Sequence, residues 1–258
     1  MRLRCGVMAC FVVAGVGVDA TAAPARTRFE PTDLNLEDPG AIELDLQVGF
    51  GHGEGPAGNR IILPDFELDL GLLPNVELNV DGAFALERFH QATRAYAGEP
   101  LWTGVKLGLY DSHDAKKERG IALGLQLGPR LPIGSTMRGI GYGALGLVGF
   151  VRNRVRLAFN GGALYDPRDV EQQTTAARLV FGVDLRWSLD ARDRFALLGE
   201  AGGSYSLNSE PHELSATLGT AWTASDSMTL SIVLLGNALA GGERVSILFG
   251  VTPKIQLW

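Results

Sequence analysis

Six carboxylates recur at odd-numbered positions early in the chain: Glu43 and Asp45, Glu67 and Asp69, Glu77 and Asp81. On an extended backbone, side chains two residues apart point the same way, so each set projects from one face of one strand. Three arginines much later, Arg156, Arg178 and Arg186, hold the polar phase of their own segments. Lys106, Asp184 and Glu200 are further charges on polar faces. Opposed carboxylates and guanidiniums across a narrow space create a transverse field, which orients dipolar or zwitterionic solutes.

Strands must position these groups. From Ala41 to Phe50, apolar Ile42, Leu44, Leu46, Val48 and Phe50 alternate with Glu43, Asp45, Gln47 and Gly49. This period of two marks a strand with one apolar and one polar face. Ile62 to Leu72 and Val76 to Leu86 repeat it, followed by Leu101 to Tyr110, Gly120 to Leu127, Ile140 to Phe150, Val155 to Ala163 and Ala177 to Trp187. Four more run Phe195 to Tyr205, Leu214 to Trp222, Met228 to Gly236 and Val245 to Trp258. In the sixth strand, Gly-rich Ile140 to Phe150, either Ile140, Tyr142 and Ala144 or Leu145, Leu147 and Gly149 can face outward, with a bulge as a means of switching between them. The facing of the twelfth is open as well, because Lys254 and Gln256 share the phase of Trp258.

Alternation alone also fits a water-soluble sandwich. Three features favour a membrane barrel. The strands are about 9 to 11 residues long, enough to cross a bilayer at a tilt. Phe50, Trp187, Phe195, Tyr205 and Trp222 sit near strand ends, as an interfacial girdle requires. Connections after the odd-numbered strands are mostly the longer ones, at roughly 10, 14, 11, 13, 8 and 8 residues, against roughly 3, 9, 4, 7 and 5 for the others. The expectation is an all-β fold: a single antiparallel transmembrane β-barrel of about 12 strands in an up-and-down meander.

Met1-Arg2-Leu3-Arg4, the apolar run Cys5 to Val18 and the small-x-small site Ala20-Thr21-Ala22 read as a signal peptide over 1–22. The run is too short for a transmembrane anchor, and Cys10 lies inside it rather than after it, as a lipoprotein would require. Both cysteines fall in this leader, so the processed chain has no thiol for disulfides, metal ligation or nucleophilic attack. Processing near Ala22 leaves 21 basic and 28 acidic residues, with no basic field suited to nucleic acid. Residues 23–40 show no period and read as an irregular periplasmic lead-in, which leaves 41–258 for the barrel.

Phe29-Glu30-Pro31-Thr32-Asp33 through Asp38-Pro39-Gly40-Ala41-Ile42-Glu43-Leu44 resembles the entry of a bacterial outer-membrane barrel family named for the meta pathway of phenol degradation, whose members are described as transporters. Leu63-Pro64-Asp65 through Gly71-Leu72-Leu73-Pro74-Asn75-Val76-Glu77-Leu78 is similar to its second hairpin, and Gly104-Val105-Lys106-Leu107-Gly108-Leu109 to its fourth strand. The resemblance implies an outer-membrane barrel that passes small organic compounds, with no catalytic residues to carry over.

The leading functional expectation is therefore a channel for small organic or zwitterionic solutes, seated in outer-membrane lipid. The barrel-assembly machinery would engage its final strand, ending in Trp258. The alternatives are a plugged structural barrel filled by paired charges, a surface adhesin using the loops at 87–100 and 165–176, and an outer-membrane hydrolase. His52, His90, His113 and His212 all fall in loops or turns. Only His212 has triad-like neighbours, in Ser209, Glu210 and Glu213. His52 with Glu54 supplies too few ligands for a metal, and Gly139-Ile140-Gly141-Tyr142-Gly143 lacks the Lys-Ser or Lys-Thr of a phosphate loop. No cofactor is expected.

Overall fold

The computed structural model describes residues 32, 34–53, 59–89, 92–97, 100–112, 119–133, 139–167, 176–207, 212–238 and 243–258. In chain order the strands are β1 (Ala41–Gly53), β2 (Asn59–Leu73), β3 (Val76–Phe89), β4 (Ala92–Ala97), β5 (Leu101–Asp111), β6 (Arg119–Leu131) and β7 (Gly141–Arg152). Then come β8 (Val155–Asp166), β9 (Ala176–Ser188), β10 (Phe195–Ser206), β11 (Glu213–Ser225), β12 (Met228–Asn237) and β13 (Glu243–Gln256). Every strand of the ring pairs antiparallel with two neighbours, and β13 returns to β1 from Ala41↔Gln256 to Gly53↔Glu243, so the ring has no free edge.

Twelve strands close this ring. The thirteenth, β4, pairs only with the distal part of β3, from Phe84↔Ala97 to Phe89↔Ala92. Within the segment 87–100, expected as loop, the residues up to Phe89 thus belong to β3 and Ala92–Ala97 pairs back on it, and β5 joins the ring beside β3, from Asp81↔Trp102 to Val76↔Leu107. Turns of two residues at 74–75, 153–154 and 226–227 gather at one end of the barrel, and the longer connections gather mostly at the other.

The outer face is apolar. Leu78, Leu123, Leu127, Phe150, Phe159, Phe181, Leu218, Ile232 and Phe249 are exposed, an arrangement that water would penalise and lipid tails would not. Aromatic residues bound this band. Trp187, Phe195 and Trp222 ring the short-turn end, where Phe195 stacks on Trp222, and Tyr142, Tyr165 and Tyr205 ring the long-loop end. Phe195 and Tyr205 are ten residues apart on β10. That separation is about 33 Å of strand and about 25 Å along an axis tilted by about 40°, the height of a lipid-facing band.

The inner face is polar and closely packed. The two open facings resolve here. In β7, Leu145, Leu147 and Gly149 point inward while Tyr142, Ala144 and Phe150 point out, with unshifted pairing on both sides and no phase switch. In β13, Ser246 and Leu248 are buried, Lys254 shares their inward phase, and Val245, Phe249 and Ile255 face out.

The end of the lead-in lies within this interior. Thr32 and residues 34–40 are irregular and follow the inner wall of the short-turn half, past half of the ring. Thr32 exchanges two 2.9 Å hydrogen bonds with the Asn160 side chain on β8. Leu34 packs on the cluster of Trp102, Leu145, Leu147, Leu164 and Val180, which explains why leucines of β7 turn inward. Inward glycines make room for this strap. A methyl at Gly108 would come 2.8 Å from Leu36, one at Gly124 3.3 Å from Leu34, and one at Gly71 would collide with the carbonyls of Glu37 and Asp38. The strap ends at Gly40, whose φ of +82° suits glycine and whose N–H donates to Gly71 O at 2.8 Å.

Candidate functional site

The inward phase of β1, β2 and β3 carries the six expected carboxylates, and strand register sets them side by side. Asp45 faces Glu67, Glu67 faces Asp81, Glu43 faces Asp69, and Asp69 faces Asn79. Like charges this close need donors, and side chains of the same and neighbouring strands supply them. Thr252 Oγ1 donates to Asp45 at 3.2 Å, and Gln47 Nε2 to its other oxygen at 3.4 Å. Asn79 Nδ2 donates to both Glu67, at 2.5 Å, and Asp69, at 2.9 Å.

Glu77 is the most enclosed of the six. Lys106 Nζ lies 2.9 Å from its Oε1, the two side chains are 3% and 1% exposed, and the Glu37 N–H donates to its Oε2 at 2.7 Å. Glu37 in turn meets Lys254 Nζ at 2.5 Å, and the same ammonium is 4.0 Å from Glu43. Both lysines that enter the acidic half thus also tie the strap, directly or through Glu77, to the wall.

The arginines do not form one wall facing the acids. Arg178 is buried at the long-loop end, where its Nη2 bonds Asp166 Oδ2 at 2.8 Å while Arg130 Nε bonds Asp166 Oδ1 at 2.7 Å. Arg130 also lies over the Trp102 ring, 5.7 Å from its centroid. Arg186 sits near the short-turn end, 3.4 Å from Asp193 in the β9–β10 turn, and Arg156 is exposed beside it in register. At mid-height on that side the register instead pairs two acids, Asp184 and Glu200. Position in the ring predicts which side a residue occupies, but Arg178 and Arg186 are eight residues of strand apart, about 26 Å.

Above the strap a cavity of about 100 Å³ remains, lined by Asp45, Asp65, Glu67, Asp81 and Glu200 together with Thr32, Gln47, Trp102, Gln126 and Leu145. It draws carboxylates from β1, β2, β3 and, across the ring, β10. Asp65 was not among the expected wall residues although it shares the phase of Glu67, and Trp102 and Gln126 lie in the polar phases of their own strands. Arg130 and Asp166 gave no comparable signal, since both sit at strand ends where phase alone does not place a residue.

Of the histidines expected in loops, His212 lies in the connection before β11 and His52 lies on β1. His212 stacks on Tyr205, ring centroids 4.4 Å apart, and its Nδ1 accepts the Ser206 N–H at 3.3 Å. His52 Nδ1 lies 2.7 Å from Asn59 Oδ1. His90, His113, Glu54, Ser209 and Glu210 lie outside the described residues, among which no three or more His, Cys, Asp or Glu side chains are placed to hold a metal ion.

No protein-family model matches the chain, and no curated protein matches it in sequence. Among solved structures, the NanC porin is similar in fold at TM-score 0.56 and 9% identity, covering 82% of this chain and 100% of that one. The KdgM porin reaches 0.46 at 9% identity over 83% of this chain and 98% of that one, and the outer membrane phospholipase A from Escherichia coli also 0.46 at 9%, over 83% and 91%. At these identities the likeness is one of fold: this chain is a closed, twelve-stranded, all-antiparallel up-and-down barrel of the kind found among outer-membrane proteins.

Proposed function

We propose that this chain is an outer-membrane channel for small organic solutes, selective for cations and for zwitterions that present their cationic end. The observation that carries the reading is the cavity in the bore, lined by five carboxylates from four strands inside a wall whose outer face is apolar. A bore of this charge raises the local concentration of cations and depletes anions. The expected transverse field is replaced by an acidic mid-section, because Arg178 and Arg186 are engaged by Asp166 and Asp193 at opposite ends. The leader at 1–22, a bacterial outer-membrane location, and delivery by the barrel-assembly machinery through the strand preceding Trp258 belong to the same proposal.

Planar-bilayer recording of the purified barrel tests it. The expected result is single-channel steps with a reversal potential, under a salt gradient, on the cation-selective side. Absence of steps together with no swelling of loaded liposomes overturns the channel reading. It would favour the second one, a plugged structural barrel, which the insertion of Leu34 among Trp102, Leu145 and Leu147 specifically supports.

A further inference from the structure

We infer that Arg119 and Arg152 form a binding site for the phosphate of an anionic phospholipid, in the leaflet at the short-turn end of the barrel. The inference goes beyond the channel reading and stands whether or not the bore conducts, since the site lies on the outside of the wall.

Register carries the argument. Arg119 opens β6, Arg152 closes β7, and the two are direct partners across the strand pair. Both are exposed. Arg119 shares the phase of Ile121 and Leu123, Arg152 shares that of Phe150, and these three apolar residues are exposed on the outer face. Pairing from Arg119↔Arg152 to Arg130↔Gly141 runs without a shift, so both arginines leave the wall on that same outer face, side by side. Partners directly opposite on one face have Cβ atoms about 5 Å apart, where two like charges repel.

Their height places them among headgroups. Arg152 pairs with Val155, and Val155 pairs with Trp187, so the arginines stand level with a member of the aromatic ring that bounds the apolar band. Ile121 and Phe150, the next outward pair, lie about 7 Å further along the strands, and Leu123 and Val148 follow. A guanidinium offers a planar fork of N–H donors that matches a phosphate, and an anion held between two of them removes their repulsion. The acyl chains of a phospholipid then run along the two apolar pairs above. A free phosphate would use only the charged part of this surface.

The surrounding turns favour the same partner. Arg154 in the β7–β8 turn and Arg192 and Arg194 in the β9–β10 turn are exposed at this end. Of the acids nearby, Asp190 accepts backbone N–H groups, and Asp193 is engaged by Arg186 and Ser188. Asp111 on β5 pairs with Ala122 and so takes the phase opposite to Ile121. Basic clusters beside a membrane draw in anionic headgroups, and only the Arg119 and Arg152 pair joins this field to an apolar track. In outer-membrane barrels short turns lie on the periplasmic side, where the leaflet is phospholipid.

Native mass spectrometry of the folded barrel, released from non-ionic detergent, tests the site. Phosphatidylglycerol is expected to bind about 30-fold more tightly than phosphatidylcholine, which carries the same phosphate without net charge. Arg119→Gln/Arg152→Gln is expected to bring the two lipids to equal affinity, and each single variant to lose about fivefold of the preference, with folding checked by the heat-dependent gel shift. Arg192→Gln/Arg194→Gln removes the same charge from the next turn and is expected to leave the preference within about threefold of its original value. Equal affinities for the two lipids on the unaltered protein, an equal loss of preference in both double variants, or displacement of phosphatidylglycerol by excess inorganic phosphate each overturn the inference. A barrel that shows the preference but never conducts keeps the site and loses the channel reading.

Discussion

Replacing Lys106 by Met removes a charge while keeping the length of the side chain, and it asks whether water reaches the floor of the bore. The Nζ to Oε1 distance to Glu77 is 2.9 Å and neither side chain is more than 3% exposed. At that separation the Coulomb attraction is about 6 kcal/mol for an effective dielectric constant near 20, but only about 1.4 kcal/mol in bulk water. Truncating one partner of a desolvated pair leaves the other charge buried, at a net cost of about 3–5 kcal/mol. Lys106→Met should therefore destabilise the barrel by that amount in reversible urea unfolding from lipid vesicles. The double variant Lys106→Met/Glu77→Gln should recover most of the loss, because no charge is then stranded and the Gln oxygen still accepts the Glu37 N–H. A cost below about 1 kcal/mol for the single variant, with no coupling in the double-mutant cycle, would refute the reasoning: the pair would be hydrated and the strap would not seal the bore.

Four further outcomes are expected. Asp166→Asn removes the anion shared by two buried guanidiniums, Arg130 and Arg178, and should cost about 3 kcal/mol or more in the same unfolding assay. Leu34→Ala weakens the strap's hold on the inner apolar cluster by about 2 kcal/mol, which should appear as larger or more frequent conductance steps. Phe181→Arg places a charge on the lipid face midway along β9 and should cost about 2–4 kcal/mol. Asp190, in the β9–β10 turn, accepts the N–H groups of Phe195 and Arg194, which hold its carboxyl below the usual Asp range. Its contribution to the turn is complete above the unfolded-state value near 3.9 and lost as pH falls through the lower folded one, so an NMR titration should give Asp190 a midpoint below that of an unstructured Asp.

Period-two patterning made the ring legible because the chemistry of each face is repeated along every strand. Glu67 and Asp81 are inward for the same local reason that Leu78 is outward, and register then brings them together. The distal β3–β4 hairpin escaped that logic. Phe84 to Phe89 pairs with Ala92 to Ala97, and β4 has no second neighbouring strand to enforce alternation along it, whereas β3 is still flanked by β2 up to Glu87.

The strap was illegible for a more general reason. Residues 34–40 have no period, since different strands hold them: Leu34 lies beside Gly124 of β6 and Gly149 of β7, Glu37 is held by β3 and β13, and Gly40 by β2. Its trace in the sequence lies elsewhere, in what the inner face lacks. Gly71, Gly108, Gly124 and Gly149 all hold inward phases, and Leu145 and Leu147 put apolar side chains where carboxylates stand on β1 to β3. A lumen exposed only to water has no use for buried leucines, whereas one that receives a leucine needs an apolar seat and space beside it. Inward glycines together with inward leucines on adjacent strands therefore signal that something apolar occupies the bore. Here the occupant precedes β1 in the same chain, and the acids it leaves uncovered are those that line the remaining cavity.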